Sequence, residues 1–107
     1  MTVEQMKMRL SVMTGNTNDT ILLTAIEMAG AAVLKQRFPF GAPSQDVPAE
    51  YHLDQLAIAE YLVNKSGATG QTAHDENGVK RTYESGGIPK SLLKNITPMG
   101  KVLGGKG

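Results

Sequence analysis

The chain has 107 residues, a mass of 11.4 kDa and a formal net charge of +1. Hydrophobic residues make up 40% of it and charged residues 20%, a balance typical of a globular protein and not of a disordered one. The lack of cysteine excludes disulfides and cysteine-ligated zinc. The length predicts one domain over residues 1–107 with a single modest core.

No targeting or membrane segment is expected. Glu4, Lys7 and Arg9 stand where a signal peptide needs an apolar run, which argues against secretion by that route. The longest apolar region, 21–34, is interrupted by Glu27 and is too short to span a bilayer. These features predict a soluble intracellular protein with no membrane partner.

Charge is distributed unevenly along the chain. Residues 1–79 contain five Lys or Arg against nine Asp or Glu, whereas residues 80–107 contain six against one. A basic C-terminal part is compatible with a nucleic-acid partner. It is equally compatible with a subunit whose basic end meets the acidic body of its neighbour. The basic residues stand singly and lack the clustered arginines of a groove reader, so charge favours assembly over DNA binding.

Two helices are predicted before residue 38. Thr2 and Gln5 fit a capping box for the first, which ends before Gly15. Asp19 is predicted to cap the second, which spans about 20–37 and is apolar around most of its circumference, as expected of a central helix. We expect Met6, Met8 and Met13 to fill the core. The predicted apolar face of the first helix consists of Val3, Met6, Leu10 and Met13.

A third helix is predicted over 48–66, after an aromatic-proline turn whose Phe38 and Phe40 are expected to plug one end of the bundle. One broad side of this helix is apolar. A second apolar line, spaced i, i+4, i+8, lies within its charged side. Either the first helix or a partner subunit could cover this line, and the sequence does not decide between them. The line consists of Leu53, Ala57 and Tyr61.

The segment after the third helix is predicted to form an extended β-hairpin arm over residues 70–85. Asn77-Gly78 is the preferred pair for a two-residue type I′ turn. Neither face of such a hairpin is apolar enough for a core, and an isolated hairpin is marginally stable in water. We therefore expect a mobile arm that a partner orders. The pairs across the turn would be Glu76 with Val79, Asp75 with Lys80, His74 with Arg81, Ala73 with Thr82 and Thr72 with Tyr83.

The last part of the chain is predicted to form a short helix over 89–96, opened by Pro89 and stopped at Thr97-Pro98. Residues 99–107, with four glycines, are expected to be a disordered tail. The predicted fold is therefore all-α, a small bundle of about four helices with an extended β-hairpin-like arm between helices three and four. The apolar face of the short helix would be Ile88, Leu92, Leu93 and Ile96.

Candidate catalytic and metal-binding residues are few. His74 and Glu76 would share a strand face, but the other histidine, His52, lies mid-helix with nothing to bring it close. Solvated polar residues beside a turn are the favoured interpretation. Residues 67–70 lack the lysine of a phosphate-binding loop. The sequence thus predicts no catalytic, metal-binding or cofactor-binding site and no enzyme.

Several segments together suggest a family. They are RFPFG at 37–41, YLVNKSGATGQT at 61–72, ENG at 76–78, RTYES at 81–85 and IPKSLL at 88–93. With them the chain resembles the head–tail connector proteins of tailed bacteriophages, also called adaptor or head-completion proteins. The resemblance covers about 20–98 and is densest over 61–98. The short, glycine-rich tail departs from the pattern and puts tail-mediated contacts in doubt.

The resemblance implies a homo-oligomeric ring in the virion neck that matches the twelvefold portal, assembled in the bacterial cytoplasm. Its partners would be the portal protein and the next neck or tail-completion protein, with DNA passing through only as cargo. Lys80, Lys90 and Lys94 would face acidic neighbours or the channel. A small DNA-binding helical module or regulator is the alternative. The expected subunit or portal interface comprises Leu53, Tyr61, Thr72, His74, Asp75, Asn77, Gly78, Lys80, Arg81 and Tyr83.

Overall fold

The computed structural model describes residues 1–68, 76–85 and 88–99, and its regular elements are helical. These ranges contain four α-helices, and short 3₁₀ turns at Ala49–Tyr51 and Lys90–Leu92 stand before α3 and after α4. No strand occurs among these residues. The all-α prediction is confirmed. The helices are α1 Val3–Thr14, α2 Asp19–Arg37, α3 His52–Ala68 and α4 Glu76–Glu84.

Helix α1 begins and ends as its sequence predicts. The backbone N–H of Gln5 donates to Thr2 Oγ1 at 3.1 Å, and that of Thr2 donates to Gln5 Oε1 at 2.9 Å, which completes the capping box. Gly15 adopts a left-handed conformation at φ 74°, and its N–H donates to the Ser11 carbonyl. The helix boundaries are therefore set by local chemistry.

The start of α2 differs from its prediction by one residue. The side chain of Asn18, and not that of Asp19, accepts the backbone N–H of Ile21 at 3.2 Å. Asp19 is instead the first helical residue, and its carboxylate lies 3.6 Å from Lys7 Nζ of α1. The prediction of Asp19 as the cap was therefore wrong by one residue, and asparagine is as good an N-cap as aspartate.

Helices α2 and α3 form the central pair, and α1 and α4 each pack against both of them. The predicted apolar sides of these two helices supply buried residues of the core, as expected. On α1, Met6 and Leu10 are buried, but Val3, Met8 and Met13 are exposed, so the core interpretation of those three was wrong. The confirmed core residues of α2 and α3 are Leu22, Ile26, Val33, Ile58 and Leu62.

The predicted β-hairpin arm is wrong for its described part, because residues 76–84 form α4. Val79 and Tyr83, spaced i and i+4, pack on the core, and Val79 is 0% exposed. Gly78 is also buried, which lets α4 approach its neighbours closely. Tertiary packing outweighs the turn preference of Asn77-Gly78 here. Residues 70–75, the remaining part of the predicted arm, lie outside the described residues.

The prediction of a short helix over 89–96 is also wrong, because a helix of that length does not form there. Only a 3₁₀ turn forms at Lys90–Leu92, followed by further i to i+3 hydrogen bonds as far as Ile96. Its apolar residues nevertheless pack as expected, with Ile96 buried and Ile88, Leu92 and Leu93 partly buried against the core. The segment therefore has the predicted contacts without the predicted helix.

Two smaller expectations fail near the end of α2. Phe38 is half-buried, but Phe40 is 69% exposed and plugs nothing. Met99 was predicted to belong to a disordered tail. It is instead held against the end of α2, since its N–H donates to the Arg37 carbonyl at 2.7 Å. Residues 100–107 lie outside the described part of the chain.

Candidate interaction surfaces

A groove between α1 and α3 exposes a patch of large apolar side chains. Val12 is 86% exposed, Met8 67% and Leu53 66%. The groove has a volume of about 490 Å³, and Arg9 is its one charged lining residue. Helix α1 thus packs on α3 yet leaves the predicted apolar line open at Leu53. We call this surface the α1–α3 groove, lined by Met8, Arg9, Val12, Met13, Leu53, Leu56 and Ala57.

The apolar line of α3 continues into a second hollow. Ala57 lines both, and the second hollow, also of about 490 Å³, is bounded by Tyr61 of α3 and by Pro89 and Leu92 of the C-terminal segment. Tyr61 is half-buried and contacts the core. The i, i+4, i+8 line is therefore a continuous partly covered stripe along α3, about 12 Å long at 1.5 Å per residue.

A larger cleft of about 1040 Å³ runs along α2, between the first residues of the chain and the 45–47 loop. We call it the α2 cleft. Leu23 and Ala31 are exposed in it, Met28 and Leu34 are half-buried, and all four are apolar. Two carboxylates, those of Glu27 and Asp46, also line it and are exposed. The cleft is thus an apolar helix face bordered by negative charge.

The floor of the α2 cleft is organised by a buried glutamine. Gln55 Nε2 donates to the Ile26 carbonyl at 3.0 Å, which ties α3 to α2. Gly30 makes room for it, since a Cβ there would lie 2.9 Å from Gln55 Nε2 and 3.3 Å from Val47 Cγ2. Gln55 Oε1 is buried without a hydrogen-bonding partner among the described groups. The Gln55 amide of α3 therefore occupies the space beside α2 that the missing side chain of Gly30 leaves open.

His52 has a structural role in this geometry. Its Nε2 lies 3.2 Å from the Val47 carbonyl, and its Nδ1 lies 3.0 Å from the Met1 amine. In the Nε2–H tautomer, Nε2 donates to the Val47 carbonyl and Nδ1 accepts from the amine. Within the described ranges, no three His, Cys, Asp or Glu side chains are grouped to hold a metal ion. His74 lies outside those ranges.

The predicted interface residues are not gathered at one place. Leu53 and Tyr61 share the α3 stripe, whereas Gly78 and Tyr83 belong to α4 and contribute to its packing. Asn77 also lies in α4. The predicted arm residues Thr72, His74 and Asp75 fall outside the described residues.

The basic residues singled out by the sequence are on the surface. Lys80 and Arg81 are exposed on α4, and Lys90 and Lys94 are exposed on the segment that follows it. Each of the four is therefore accessible to a neighbouring molecule or to DNA. Their positions do not distinguish between these two partners.

The exposed side of α1 was not among the surfaces predicted from the sequence. Met8 and Val12 are spaced i, i+4 and lie off the predicted core face, with Arg9 beside them. That spacing is a signal of a second apolar line on a short helix, of the same kind that identified Leu53 and Tyr61 on α3. It was overlooked because methionine was assigned to the core.

The model of the phage gp6-like head–tail connector protein family matches residues 1–99. The match includes every residue that the structure describes, and the chain belongs to this family. No curated protein and no solved structure matches it. The resemblance seen in the sequence is confirmed.

Membership in this family makes the chain a structural protein of the junction between phage head and tail. The family is not a class of enzymes. Among the described helices, none is both long and apolar enough to cross a membrane. The exposed apolar surfaces of α1, α2 and α3 are therefore the features of this fold that need a functional explanation.

Proposed function

We propose that the protein forms a homo-oligomeric ring beneath the portal, joining phage head to tail and extending the DNA channel after packaging. It has no enzymatic step of its own. It assembles in the host cytoplasm, contacts the portal on one side and the next neck or tail-completion protein on the other, and lets DNA pass as cargo. The family match over residues 1–99 is the observation that carries this proposal.

The amount of exposed apolar surface supports a subunit of an assembly. A standard interface buries about 800 Å² on each partner. Each subunit of a ring uses two different faces, because a head-to-tail contact closes by rotation. Two faces of about 800 Å² would take roughly a quarter of the 6289 Å² surface, which fits a fold with several open apolar surfaces.

The α3 stripe is our candidate for part of a subunit contact. Leu53 is exposed on this stripe in the α1–α3 groove, and Tyr61 lines the second hollow. A neighbouring subunit that covered the stripe would bury both side chains. For α4, only its exposed side is available for such a contact, and in this proposal the exposed Lys80 and Arg81 meet an acidic neighbour. Lys90 and Lys94 are also exposed, and in this proposal they meet an acidic neighbour or line the channel.

The experiment that tests the proposal is light scattering over a range of protein concentrations, with and without portal-bearing heads. We expect mass to rise with concentration or on addition of heads. The same preparations should show little binding to duplex DNA at physiological salt, because a channel that passes DNA must not hold it. A chain that stays monomeric with heads present, and binds duplex with a steep salt dependence, would instead be a DNA-binding module.

A further inference from the structure

We propose that the exposed edge of α1 in one copy docks in the α2 cleft of the next copy. The α1 edge is defined as Met8, Arg9 and Val12, and Arg9 would face Glu27 and Asp46 of the neighbouring copy's cleft. This inference rests on the proposed ring and deepens it, since it names the two unlike faces that form each contact.

The α1 edge has the character of a docking helix. Met8 and Val12 lie one turn apart on the same side and are largely exposed, with Leu53 of α3 exposed beside them. Arg9 is also exposed, and no acidic partner for it exists among the described residues. An amphipathic helix that presents i, i+4 apolar anchors and an unpaired cation is suited to a groove with acidic borders.

The α2 cleft offers such a groove. Its lining on α2 extends from Thr20 to Leu34, about 21 Å at 1.5 Å per residue, and α1 with 12 residues is about 18 Å long. The described part of the chain holds no basic partner for Glu27 or Asp46. The cleft is therefore long enough to receive the edge, which spans about 6 Å, and it matches the edge in apolar character, while its two carboxylates are opposite in charge to Arg9.

A second copy is the occupant because one chain carries both surfaces and cannot join them to each other. Residues 1–3 and Met6 of α1 form a wall of the α2 cleft, whereas Met8 and Val12 line the groove between α1 and α3. The α1 edge thus cannot enter the cleft of its own chain. Docking between copies uses unlike faces, so it repeats from subunit to subunit and forms a ring where the rotation between subunits closes.

Apolar burial would supply most of the affinity in this contact. Exposed ion pairs contribute little, about 0–1 kcal/mol, so the charges serve mainly to exclude wrong orientations. Reversing a charge on one face should nonetheless be harmful, since it places like charges together at the contact. This difference makes charge reversal a sensitive test of which surfaces meet.

The first test is a charge-reversal cycle read by the concentration dependence of assembly. Arg9→Glu alone, and Glu27→Lys with Asp46→Lys on one chain, should each weaken self-association about tenfold or more. Combining all three should restore it to within about threefold of the wild type. The matched controls are Lys35→Glu and Glu50→Arg, exposed charges that line neither surface, and these should leave assembly unchanged.

The second test uses the absence of native cysteine. Val12→Cys on the α1 edge and Ala31→Cys in the α2 cleft both lie at exposed positions. When the two single variants are mixed at a concentration that gives assemblies, a short bis-maleimide should link them into dimers. Each variant alone should remain uncrosslinked. Dimers of Val12→Cys alone would mean edge-to-edge pairing and would overturn the inference.

The outcomes separate the two proposals. If the wild-type chain forms no assembly by itself or on portal-bearing heads, the proposed ring is wrong and the inference falls with it. If the wild type assembles but the charge reversals have no effect and the mixed cysteine variants do not crosslink, the ring stands and only the pairing of these two faces is wrong. Restoration by the combined charge variant together with mixed crosslinking supports both.

Discussion

At the scale of single residues, Gln55 and Gly30 show how closely the two central helices depend on each other. The Gln55 amide is buried and donates to the Ile26 carbonyl of α2, and Gly30 lies one turn further along α2. A Cβ at Gly30 would displace that amide. A glycine that lowers helix propensity is thus required by a side chain on another helix.

Replacement of Gly30 by alanine should therefore have opposite effects in two backgrounds. In the wild type we expect a loss of about 1 kcal/mol of stability, since breaking the Gln55 hydrogen bond outweighs the gain in helix propensity. In a Gln55→Ala background the same change should stabilise by up to about 1 kcal/mol. Urea unfolding of the four chains measures the coupling. Equal effects in both backgrounds would show that the amide does not restrict position 30.

Arg37 is a second residue that joins distant parts of the chain. Its Nη1 donates to the Thr97 carbonyl at 2.7 Å, and its guanidinium lies 5.8 Å from the Phe38 ring centroid and 5.9 Å from that of Tyr51. Its own carbonyl accepts the Met99 N–H. The residue begins the aromatic-proline motif of the sequence, and its structural role explains why the chain after Ile96 stays against α2.

Lys7 links α1 to the start of α2 through charge. Its Nζ lies 3.3 Å from Glu4 and 3.6 Å from Asp19, and the hydrogen bond that Lys7 donates to the Glu4 carboxylate is the largest cause that raises the pKa of Lys7. Because the pKa in the folded chain is raised, the contribution of this link is complete at neutral pH. It is lost in strongly alkaline solution, as the pH passes through the raised pKa of Lys7.

At the scale of elements, α4 is the point at which local preference and tertiary packing disagree. Asn77-Gly78 favours a hairpin turn, yet α4 places Val79 and Tyr83 against α2 and α3. Thr82 Oγ1 donates to the Gly78 carbonyl at 2.9 Å within the helix. The helix is short, so its stability depends mainly on the face that it buries.

A pair of valine substitutions tests whether α4 belongs to the core. Val79→Ala should lower the free energy of unfolding by about 2 kcal/mol, because Val79 is fully buried. Val12→Ala removes the same atoms from a largely exposed helical position and should change stability by less than about 0.5 kcal/mol. Thermal or urea unfolding followed by circular dichroism gives both values. Similar small effects would place Val79 in solvent, as the hairpin required.

At the scale of the whole molecule, the fold leaves apolar surface on three of its helices. The described helices around one core cannot cover every apolar face, since the surface of so small a chain is large relative to its volume. Helix α1 covers only part of α3, and the described part of the chain leaves the α2 cleft open. In a protein of the head–tail junction, these surfaces are where other subunits are expected to bind.

Placing a charge on the α3 stripe should separate folding from assembly. Leu53→Glu is expected to leave monomer stability within about 0.5 kcal/mol, because the side chain is already largely exposed. It should weaken self-association about tenfold or more, since it would bury an unpaired carboxylate in the contact. Phe40→Glu is the matched control, being equally exposed but outside both surfaces. Equal effects of the two variants on light scattering would argue against a role of the stripe.

Much of the helical framework was predictable from sequence. The Thr2 capping box, the Gly15 end of α1 and the buried residues of α2 and α3 follow from local chemistry and from apolar spacing, both of which are contained in short windows of sequence. The apolar line through Leu53 and Tyr61 was found in the same way. Residues 37–41 and 61–93 carried the family resemblance, which the match over 1–99 confirms.

The sequence by itself determined an all-α chain, its central core and its family, because these depend on caps, periodicity and motif. Only the tertiary structure decided that 76–84 are helical, since the burial of Val79 outweighs the turn preference of Asn77-Gly78. It also decided that Met8 and Val12 face outward on α1 and that α2 keeps an open cleft. Such outcomes depend on which faces meet across the bundle, and no local window contains that information.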